Sequence, residues 1–375
     1  MSALYIHIPF CKQKCHYCNF YSTASSKNRD QLVDSIILEL QIKKKYLNNN
    51  TLETIYFGGG TPSILTNSEL ERMFTAITSN YVISNKCEIT FEANPDDINS
   101  DKLDQFISLG INRLSIGIQS FDDSILKSLN RVHSATEAIK SVELAKSKGI
   151  DNISIDLIYG IPGLSMQKWK DSLNIYNKMD IPHLSSYFLT VEEKTALDVL
   201  IRKGKYPKLK EEEGLAHFDY LLEFCDKNNI EQYEISNFCK NGSISKHNTN
   251  YWKNNEYLGI GPSAHSYNLV SRQWNKSSIN NYIADINNKS FSADLEILTE
   301  KDKFNEFVML GLRTMWGIDI SEIGNRFGSE YQNYLLNYIK NNIKNGFIEF
   351  NNNILKLTVK GKKYADGIAS DLFLV

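Results

Sequence analysis

Three cysteines near the N-terminus have the spacing of a metal or cluster site. Cys11, Cys15 and Cys18 directly follow the apolar run Leu4–Phe10 and are separated by three and two residues. Thiolates spaced in this way on one short loop can each reach a different iron of a cubic iron–sulfur cluster, which leaves the fourth iron without a protein ligand. An iron with a free coordination position is a place for chemistry.

Zinc is the main alternative for the same thiols, with His16 or a distant residue completing a tetrahedral site; three free thiols are another. The remaining cysteines, Cys87, Cys225 and Cys239, are scattered singly and form no second pair at zinc-finger or zinc-ribbon spacing. On its own, the triplet favours a cluster only slightly over zinc.

Length and composition limit the class of protein. The chain has 375 residues, a formal net charge of −2 and 42% hydrophobic residues. This length suits one large domain and a smaller one, and the charge balance indicates neither a disordered chain nor a broad basic surface for nucleic acid. Six cysteines with three on one loop do not resemble a disulfide framework. The sequence contains no signal peptide and no apolar run of membrane-spanning length, so we expect a cytoplasmic protein.

Strand and helix patterns alternate through the first half of the chain. Helical stretches such as 30–45 separate six β-rich runs, and the capping box Ser134-x-x-Glu137 opens a helix that closes at Gly149. Six consecutive β/α units predict parallel strands with helices outside, in an open sheet or a barrel. The predicted strands are Leu4–Phe10, Thr54–Gly60, Glu88–Asn94, Arg113–Gln119, Asn152–Gly160 and His183–Thr190.

Chemically distinctive residues lie where these strands end. The second strand ends in Gly58–Pro62, whose backbone amides can approach a ligand closely because glycine has no Cβ; an ordinary tight turn is the alternative. Glu92, at the end of the third, is by itself more typical of a solvated or capping carboxylate. Gln119 ends the fourth strand, Arg131 follows it, and Asp156 lies in an apolar run where an unpartnered carboxylate is costly to bury. Because parallel strands end at one edge, we expect an active face there.

Several segments together resemble the radical S-adenosylmethionine superfamily, and the resemblance covers essentially the whole chain. It is strongest to the branch that contains oxygen-independent coproporphyrinogen III oxidases and related heme chaperones. The resemblance implies a partial (β/α)6 barrel with a C-terminal appendage and a [4Fe–4S] cluster whose open iron binds the methionine moiety of S-adenosylmethionine. The matching segments are Tyr5–Cys11, Gly58–Pro62, Glu92–Pro95, Ser115–Phe121 and Asp156–Pro162.

The resemblance also implies roles for individual residues. Cys11, Cys15 and Cys18 would hold the cluster, and Tyr5 and Tyr17 would pack against the cluster and the nucleotide. The remaining residues would contact S-adenosylmethionine: Gly59, Gly60 and Thr61 at its methionine end, and Glu92, Gln119, Arg131 and Asp156 at its ribose, its carboxylate or the surrounding polar network.

Three features favour the chaperones over the oxidases within this branch. The oxidases carry a fourth cysteine two residues after the third and a longer N-terminal arm, whereas this chain has Phe20 there and begins a few residues before its first strand. Residues 247–252 fit the His-Asn-x-x-Tyr-Trp pattern that is associated with heme in the chaperones. The resemblance therefore implies a protein that delivers heme to recipient hemoproteins, such as membrane-bound respiratory enzymes. Oxidative decarboxylation of coproporphyrinogen III is the alternative.

The residues of this motif suit heme on chemical grounds as well. His247 could be an axial ligand of the iron, and Tyr251 and Trp252 could offer flat apolar surface to a porphyrin. Without the resemblance, a hydrogen-bonded histidine beside two core aromatics is the commoner arrangement. His265 is a second candidate ligand with weaker support.

Three regions are expected: a radical S-adenosylmethionine barrel over 1–235, a connecting segment with the heme motif over 236–300, and a winged-helix-like domain over 301–375. The last region holds ten Lys or Arg and eight Asp or Glu, a net charge of +2, which is small for a phosphate-binding surface. We therefore weigh a DNA-binding regulator but expect no nucleic-acid partner, and interpret the region as a lid or docking module. Peripheral contact with a membrane during heme delivery and a homodimer are further expectations.

Overall fold

A computed structural model describes residues 2–288 and 293–375. Its central feature is a sheet in which six strands run parallel in the order of the chain, as the sequence predicts. These strands are β1 (Ser2–Ile8), β2 (Thr51–Gly59), β3 (Val82–Ala93), β4 (Arg113–Gln119), β5 (Ile153–Tyr159) and β6 (His183–Phe188).

Helices follow the parallel strands and pack on the outside of the sheet. The first helix buries Leu32, Ile36 and Leu40, and the predicted capping box is present, with the Glu137 N–H donating to Ser134 Oγ at 3.2 Å. The α-helices are α1 (Arg29–Ile42), α2 (Asn67–Asn80), α3 (Ser100–Ser108), α4 (Asp123–Ser128), α5 (Ala135–Ser147), α6 (Met166–Met179), α7 (Ala196–Arg202) and α8 (Glu211–Lys227), with short 3-10 helices at Pro62–Ile64 and Pro95–Asp97.

Residues after α8 extend the sheet at both edges, to twelve strands in the described part of the chain. Beside β6 lies β8 (Asn237–Cys239) and then β7 (Glu231–Glu234), both antiparallel to their neighbours. Beside β1 lies β9 (Tyr257–Ile260), which is parallel to it, and this strand continues the sheet into an antiparallel edge. That edge contains β10 (His265–Tyr267), β11 (Ser271–Trp274) and β12 (Asp294–Ile297), and the same stretch holds α9 (Lys246–Trp252) and α10 (Ile279–Asn287).

The C-terminal region forms a smaller unit around its own apolar core, in which Phe304, Val308 and Leu335 are buried. Two antiparallel strands form a hairpin there, and a short third strand pairs with it. The Ile235 N–H donates to the Arg313 carbonyl at 3.1 Å, which joins this unit to the edge of the large sheet. Its elements are α11 (Glu300–Leu312), β13 (Ile318–Asp319), α12 (Ile320–Phe327), α13 (Ser329–Tyr338), α14 (Lys340–Lys344), β14 (Ile348–Asn351), β15 (Ile354–Leu357), α15 (Val359–Lys362) and α16 (Ala365–Asp371).

A buried carboxylate ties the extended edge of the sheet to α1. Glu39 is fully buried and pairs with Lys43 at 2.9 Å. It also accepts hydrogen bonds from the Gly261 N–H (2.9 Å), Asn275 Nδ2 (2.8 Å) and the Tyr282 hydroxyl (2.6 Å). One side chain therefore fixes the loop after β9, the end of β11 and α10.

Replacing Glu39 with Ala is expected to destabilise the fold strongly. The substitution leaves a lysine and three buried donors without their acceptor, and breaking a buried pair in this way costs about 3–5 kcal/mol. Urea denaturation of the purified protein measures the change in the free energy of unfolding. Asp34→Ala is the control on the same helix, because its ion pair with Arg72 is exposed and such pairs contribute about 0–1 kcal/mol. Equal losses in the two variants would contradict the role given to Glu39.

Candidate cofactor cavity

A cavity of about 420 Å³ opens at the C-terminal ends of the parallel strands. Its walls come from β2 to β6, from the cysteine loop after β1 and from one residue of α9, Asn248. Most of the residues that the sequence predicted as a site line this one space: Cys11, Cys15, Tyr17, Cys18, Gly59, Gly60, Thr61, Glu92, Gln119, Arg131 and Asp156. Tyr5, His247, Tyr251 and Trp252 lie outside its lining.

Backbone hydrogen bonds close the cysteine loop at its base. The Cys11 N–H donates to the Thr23 carbonyl at 2.9 Å, and the Thr23 N–H donates to the Pro9 carbonyl at 2.7 Å. The middle of the loop is held by the segment after α4, where Asn130 Nδ2 donates to the Lys14 carbonyl at 2.8 Å. The loop therefore has a defined path although it contains no regular secondary structure.

The three thiols fit a cubic cluster better than a single metal ion. All three cysteines are free and partly exposed. Within 2–288 and 293–375, no three His, Cys, Asp or Glu side chains converge on a single-ion site. A cubane meets each thiolate at a different iron, so its ligands need not converge on one point. Burial raises the pKa of the Cys11 and Cys18 thiols. Arg131 Nη1 donates to Cys15 Sγ at 3.2 Å.

The glycines after β2 are required by a close approach to β1. Gly59 has φ +108°, and a Cβ there would lie 2.5 Å from the His7 ring. A Cβ on Gly60 would lie 2.6 Å from the Phe10 carbonyl oxygen. The next residue, Thr61, accepts a hydrogen bond from Asn94 Nδ2 at 3.2 Å, which links the loop to the end of β3.

Glu92 is held by neutral donors. The Tyr56 hydroxyl donates to its Oε1 at 2.8 Å, and the Gly59 N–H donates to its Oε2 at 3.1 Å. Burial raises the pKa of Glu92 to about 7, an effect that the nearby charge of Asp156 increases. Burial likewise raises the pKa of Asp156 to about 6, although the charges of Arg113 and Arg131 oppose this. Two carboxyl groups that titrate close to neutrality therefore face one cavity.

Arg131 joins three parts of the site. Besides Cys15, its guanidinium donates from Nη2 to Asn94 Oδ1 at 2.7 Å and to the Gly117 carbonyl at 2.5 Å. Gln119, the last residue of β4, has φ 73°, a left-handed conformation that is uncommon for a residue with a side chain. The end of β4 thus turns sharply where the arginine reaches back to the cysteine loop.

Sequence reasoning missed two residues that shape this cavity. Tyr56 lies in an apolar strand, and from the sequence it resembles a core aromatic. Residues two apart in a strand point to the same face, so Tyr56 and Thr54 both face the interior of the barrel. Arg113 is 2% exposed and lines the cavity from the start of β4. Nothing in the sequence marks it, because a charged residue at the start of a strand is mostly exposed.

The His-Asn-x-x-Tyr-Trp residues, 247–252, lie in α9, and their histidine is buried. His247 is 1% exposed; its Nδ1 lies 2.8 Å from Thr54 Oγ1 and its Nε2 lies 3.0 Å from the Tyr251 hydroxyl. Both ring nitrogens are therefore engaged, and ligation of iron by either would require one of these hydrogen bonds to break. The guanidinium of Arg313 lies over the Trp252 ring, with 5.5 Å between Arg313 Cζ and the ring centroid.

Two further predicted residues have clear positions. Tyr5 lies behind the glycine loop, with its hydroxyl 3.1 Å from His7 Nδ1. His265 is exposed and stacks on Trp274 at 5.8 Å between ring centroids. Among the described residues, its imidazole has no hydrogen-bond partner.

Comparison with known proteins identifies the class to which this fold and cavity belong. The model of the radical SAM superfamily matches residues 5–175, and that of the HemN C-terminal domain matches residues 298–362. The structure of coproporphyrinogen III oxidase (HemN) from Escherichia coli superposes with a TM-score of 0.86 at 20% identity, over 99% of this chain and 90% of that one. The chain is a member of the radical SAM superfamily, a family that implies a [4Fe–4S] cluster and S-adenosylmethionine.

The family within this superfamily follows from closer relatives. The heme chaperone HemW of Bacillus subtilis is 34% identical over 367 residues, which is 96% of each chain. The heme chaperone HemW of Lactococcus lactis is 34% identical over 335 residues, covering 88% of this chain and 86% of the relative. The chain belongs to the HemW family. In the described part of the chain, no helix has the length and apolar character to cross a membrane.

Replacing any one of Cys11, Cys15 and Cys18 with Ser should abolish the iron–sulfur chromophore. Each change removes one soft thiolate from a three-point mount, and serine is a poor ligand for this cluster. Iron and sulfide content and the visible spectrum after anaerobic reconstitution measure the loss. The matched controls are Ser variants of the other three cysteines, all buried: Cys87, Cys225 and Cys239. A control that loses the chromophore while a loop variant keeps it would refute the assignment.

Glu92→Gln should have opposite effects on stability and on cofactor binding. With a pKa of about 7 in the folded state against 4.5 for an ordinary Glu, the wild-type protein loses stability as pH rises between these values, by about 3 kcal/mol in all. The amide removes this penalty, so the cofactor-free variant should be more stable than wild type at about pH 8 and equal to it below about pH 4.5. Loss of the carboxylate should weaken S-adenosylmethionine binding about tenfold to hundredfold with iron content unchanged.

Urea denaturation at both pH values and equilibrium dialysis of S-adenosylmethionine test these two effects. Glu71→Gln on α2 is the control, because Glu71 is exposed. A variant that is no more stable than wild type at the higher pH would show that Glu92 is not a costly buried charge.

Proposed function

We propose that this protein is a heme chaperone that holds a [4Fe–4S] cluster and S-adenosylmethionine in the cavity and passes heme to recipient hemoproteins. The observation that carries the proposal is the convergence of the cysteine loop, the glycine loop, Glu92, Arg131 and Asp156 on one space. Relatives that share about a third of its residues over nearly the full chain are named heme chaperones. Membrane-bound respiratory enzymes are proposed as recipients, with delivery at the membrane surface.

Each wall of the cavity has a task in this proposal. Cys11, Cys15 and Cys18 hold the cluster, which supplies one-electron chemistry to the bound sulfonium. Arg131 donates to Cys15 Sγ and so fixes the cysteine loop to the ends of β3 and β4. Tyr17 and the strand ends enclose the space and limit the access of water.

The polar residues of the walls receive the nucleotide. The backbone of Gly59, Gly60 and Thr61 meets the methionine end, as close backbone approach requires. Glu92 and Asp156 present negative charge to the cationic cofactor, and Gln119 contributes an amide from the end of β4. The positions of these residues at the strand ends, and the charges of the two carboxylates, support these roles.

The heme site of this proposal uses His265 as the iron ligand. Its imidazole is exposed beside Trp274, whose ring offers apolar surface to a porphyrin. Partial burial and the charge of Arg272 lower the pKa of His265, so the imidazole is neutral, the form that ligates iron, at neutral pH. His247 is the competing ligand from the sequence, but its ring nitrogens are both hydrogen-bonded.

Hemin titration followed by absorbance distinguishes these two histidines. His265→Ala should weaken hemin binding at least about tenfold and change the ligand-sensitive Soret band, because an axial ligand is lost. His247→Ala should leave both intact. The reverse pattern would return the ligand role to His247, and neither variant should lose its iron–sulfur chromophore.

Oxidation of coproporphyrinogen III is the second candidate function, favoured by the close match of the fold to HemN. Against it, Phe20 stands where the oxidases carry a fourth cysteine, and its ring is 65% exposed at the cavity. The anaerobically reconstituted protein is expected not to form protoporphyrinogen IX from coproporphyrinogen III, as measured by chromatography of the oxidised porphyrins. Sustained turnover with the cluster present would replace the chaperone proposal by the oxidase.

A further inference from the structure

Helix α9 lies inside the barrel, beneath the cavity. Glu88 of β3 accepts hydrogen bonds from the N–H groups of Lys246 (3.1 Å) and His247 (2.9 Å), which anchors the start of the helix. His247 also contacts Thr54 of β2. Glu88 and Thr54 each come before the residues of their strand that line the cavity, Glu92 on β3 and Tyr56 on β2. The next helix residue, Asn248, lines the cavity itself. The helix therefore lies below the cavity and reaches its lining through Asn248.

His247 is connected to the cavity wall by direct contacts. Its imidazole stacks on the Tyr56 ring at 4.9 Å between centroids with an interplanar angle of 30°. The hydrogen bond between His247 Nδ1 and Thr54 Oγ1 holds the imidazole in this stacked position. Tyr56 in turn donates its hydroxyl to Glu92 Oε1 at 2.8 Å. A movement of the imidazole would release the tyrosine ring and, with it, one of the two donors that orient the carboxylate.

We propose that His247 is a positioning residue for the S-adenosylmethionine pocket, acting through the ring of Tyr56 on the carboxylate of Glu92. The proposal rests on the proposed function in that the cavity must receive S-adenosylmethionine, but it is independent of heme. It gives the His-Asn-x-x-Tyr-Trp helix of this chain a task in cofactor binding. Burial and the charge of Arg113 lower the pKa of His247 to about 3, so it acts as a neutral ring.

The test measures S-adenosylmethionine affinity on the anaerobically reconstituted protein, by equilibrium dialysis across a range of pH. The variants are His247→Ala, Tyr56→Phe and the two combined. Each single change should weaken binding about tenfold, because each removes or loosens the same hydrogen bond, and the double variant should be no weaker than the poorer single one. Lys246→Ala is the control on the same helix, since its side chain is exposed.

The pH profile supplies a readout that general loosening of the fold would not produce. The Tyr56 hydrogen bond lowers the pKa of Glu92, so the midpoint at which binding strengthens with rising pH should move upward in all three variants. Asp156 titrates in the same pH range as Glu92, so the measured midpoint describes the two carboxyl groups together and is not the pKa of Glu92 alone. The other groups that face Glu92 are the phenols of Tyr5, Tyr56, Tyr187 and Tyr251, which stay neutral in this range.

Several outcomes would overturn the proposal. If His247→Ala binds S-adenosylmethionine with the affinity and pH midpoint of the wild type, His247 does not position the pocket. The same conclusion follows if the losses of binding free energy in the two single variants simply add in the double variant. If His247→Ala does not fold, His247→Gln replaces it, because it keeps a polar side chain and loses the ring; unchanged binding in that variant is equally negative. A wild-type protein that fails to bind S-adenosylmethionine would instead refute the proposed function itself.

Discussion

The contact between the backbones at the ends of β1 and β2 determines the rest of the site. The Gly60 N–H donates to the Ile8 carbonyl at 2.8 Å, and the Thr61 N–H donates to the Phe10 carbonyl at 2.7 Å. Any side chain at Gly60 would collide with this backbone. Because Cys11 follows Phe10 directly, the cysteine loop and the glycine loop share one rigid origin. Their relative position is therefore set by main-chain geometry, which tolerates little adjustment.

The parallel strands could be predicted because each carries a row of buried apolar residues, such as Leu114, Ile116 and Ile118 of β4, whereas the boundaries and edge strands follow other forces. β3 begins at Val82, six residues before the predicted start at Glu88. None of residues 82–86 is buried, and the strand starts early because Val82 and Ile83 pair with β2 through the backbone, before the register shifts ahead of Glu88. β12 is exposed along its whole length and β13 has two residues. Strands this short give too few residues for a decisive periodic signal, because hydrogen bonding to a neighbour and not burial defines them.

The candidate site was predictable to the extent that topology alone brings residues together. Cys11, Glu92 and Asp156 come from different β/α units, and the parallel order of the strands delivers them to one edge. The surroundings of His247 were not predictable in the same way. Its partner Thr54 lies 193 residues earlier in the chain, and a sequence motif specifies residue types without specifying which hydrogen bonds they form.

The charge of the cavity indicates what kind of ligand the protein is built to hold. Glu92 accepts hydrogen bonds from a phenol and a backbone amide, and neither donor carries a charge that would neutralise it. A partly buried carboxylate without a cationic partner costs stability, and a cationic ligand would offset that cost. Arg131, the cation nearest the cysteines, is committed to Cys15, Asn94 and the end of β4. The carboxylates are therefore left to face the open space. A cationic ligand in this space would compensate the charge that the two neutral donors leave on Glu92, which is why the proposed sulfonium cofactor suits the cavity.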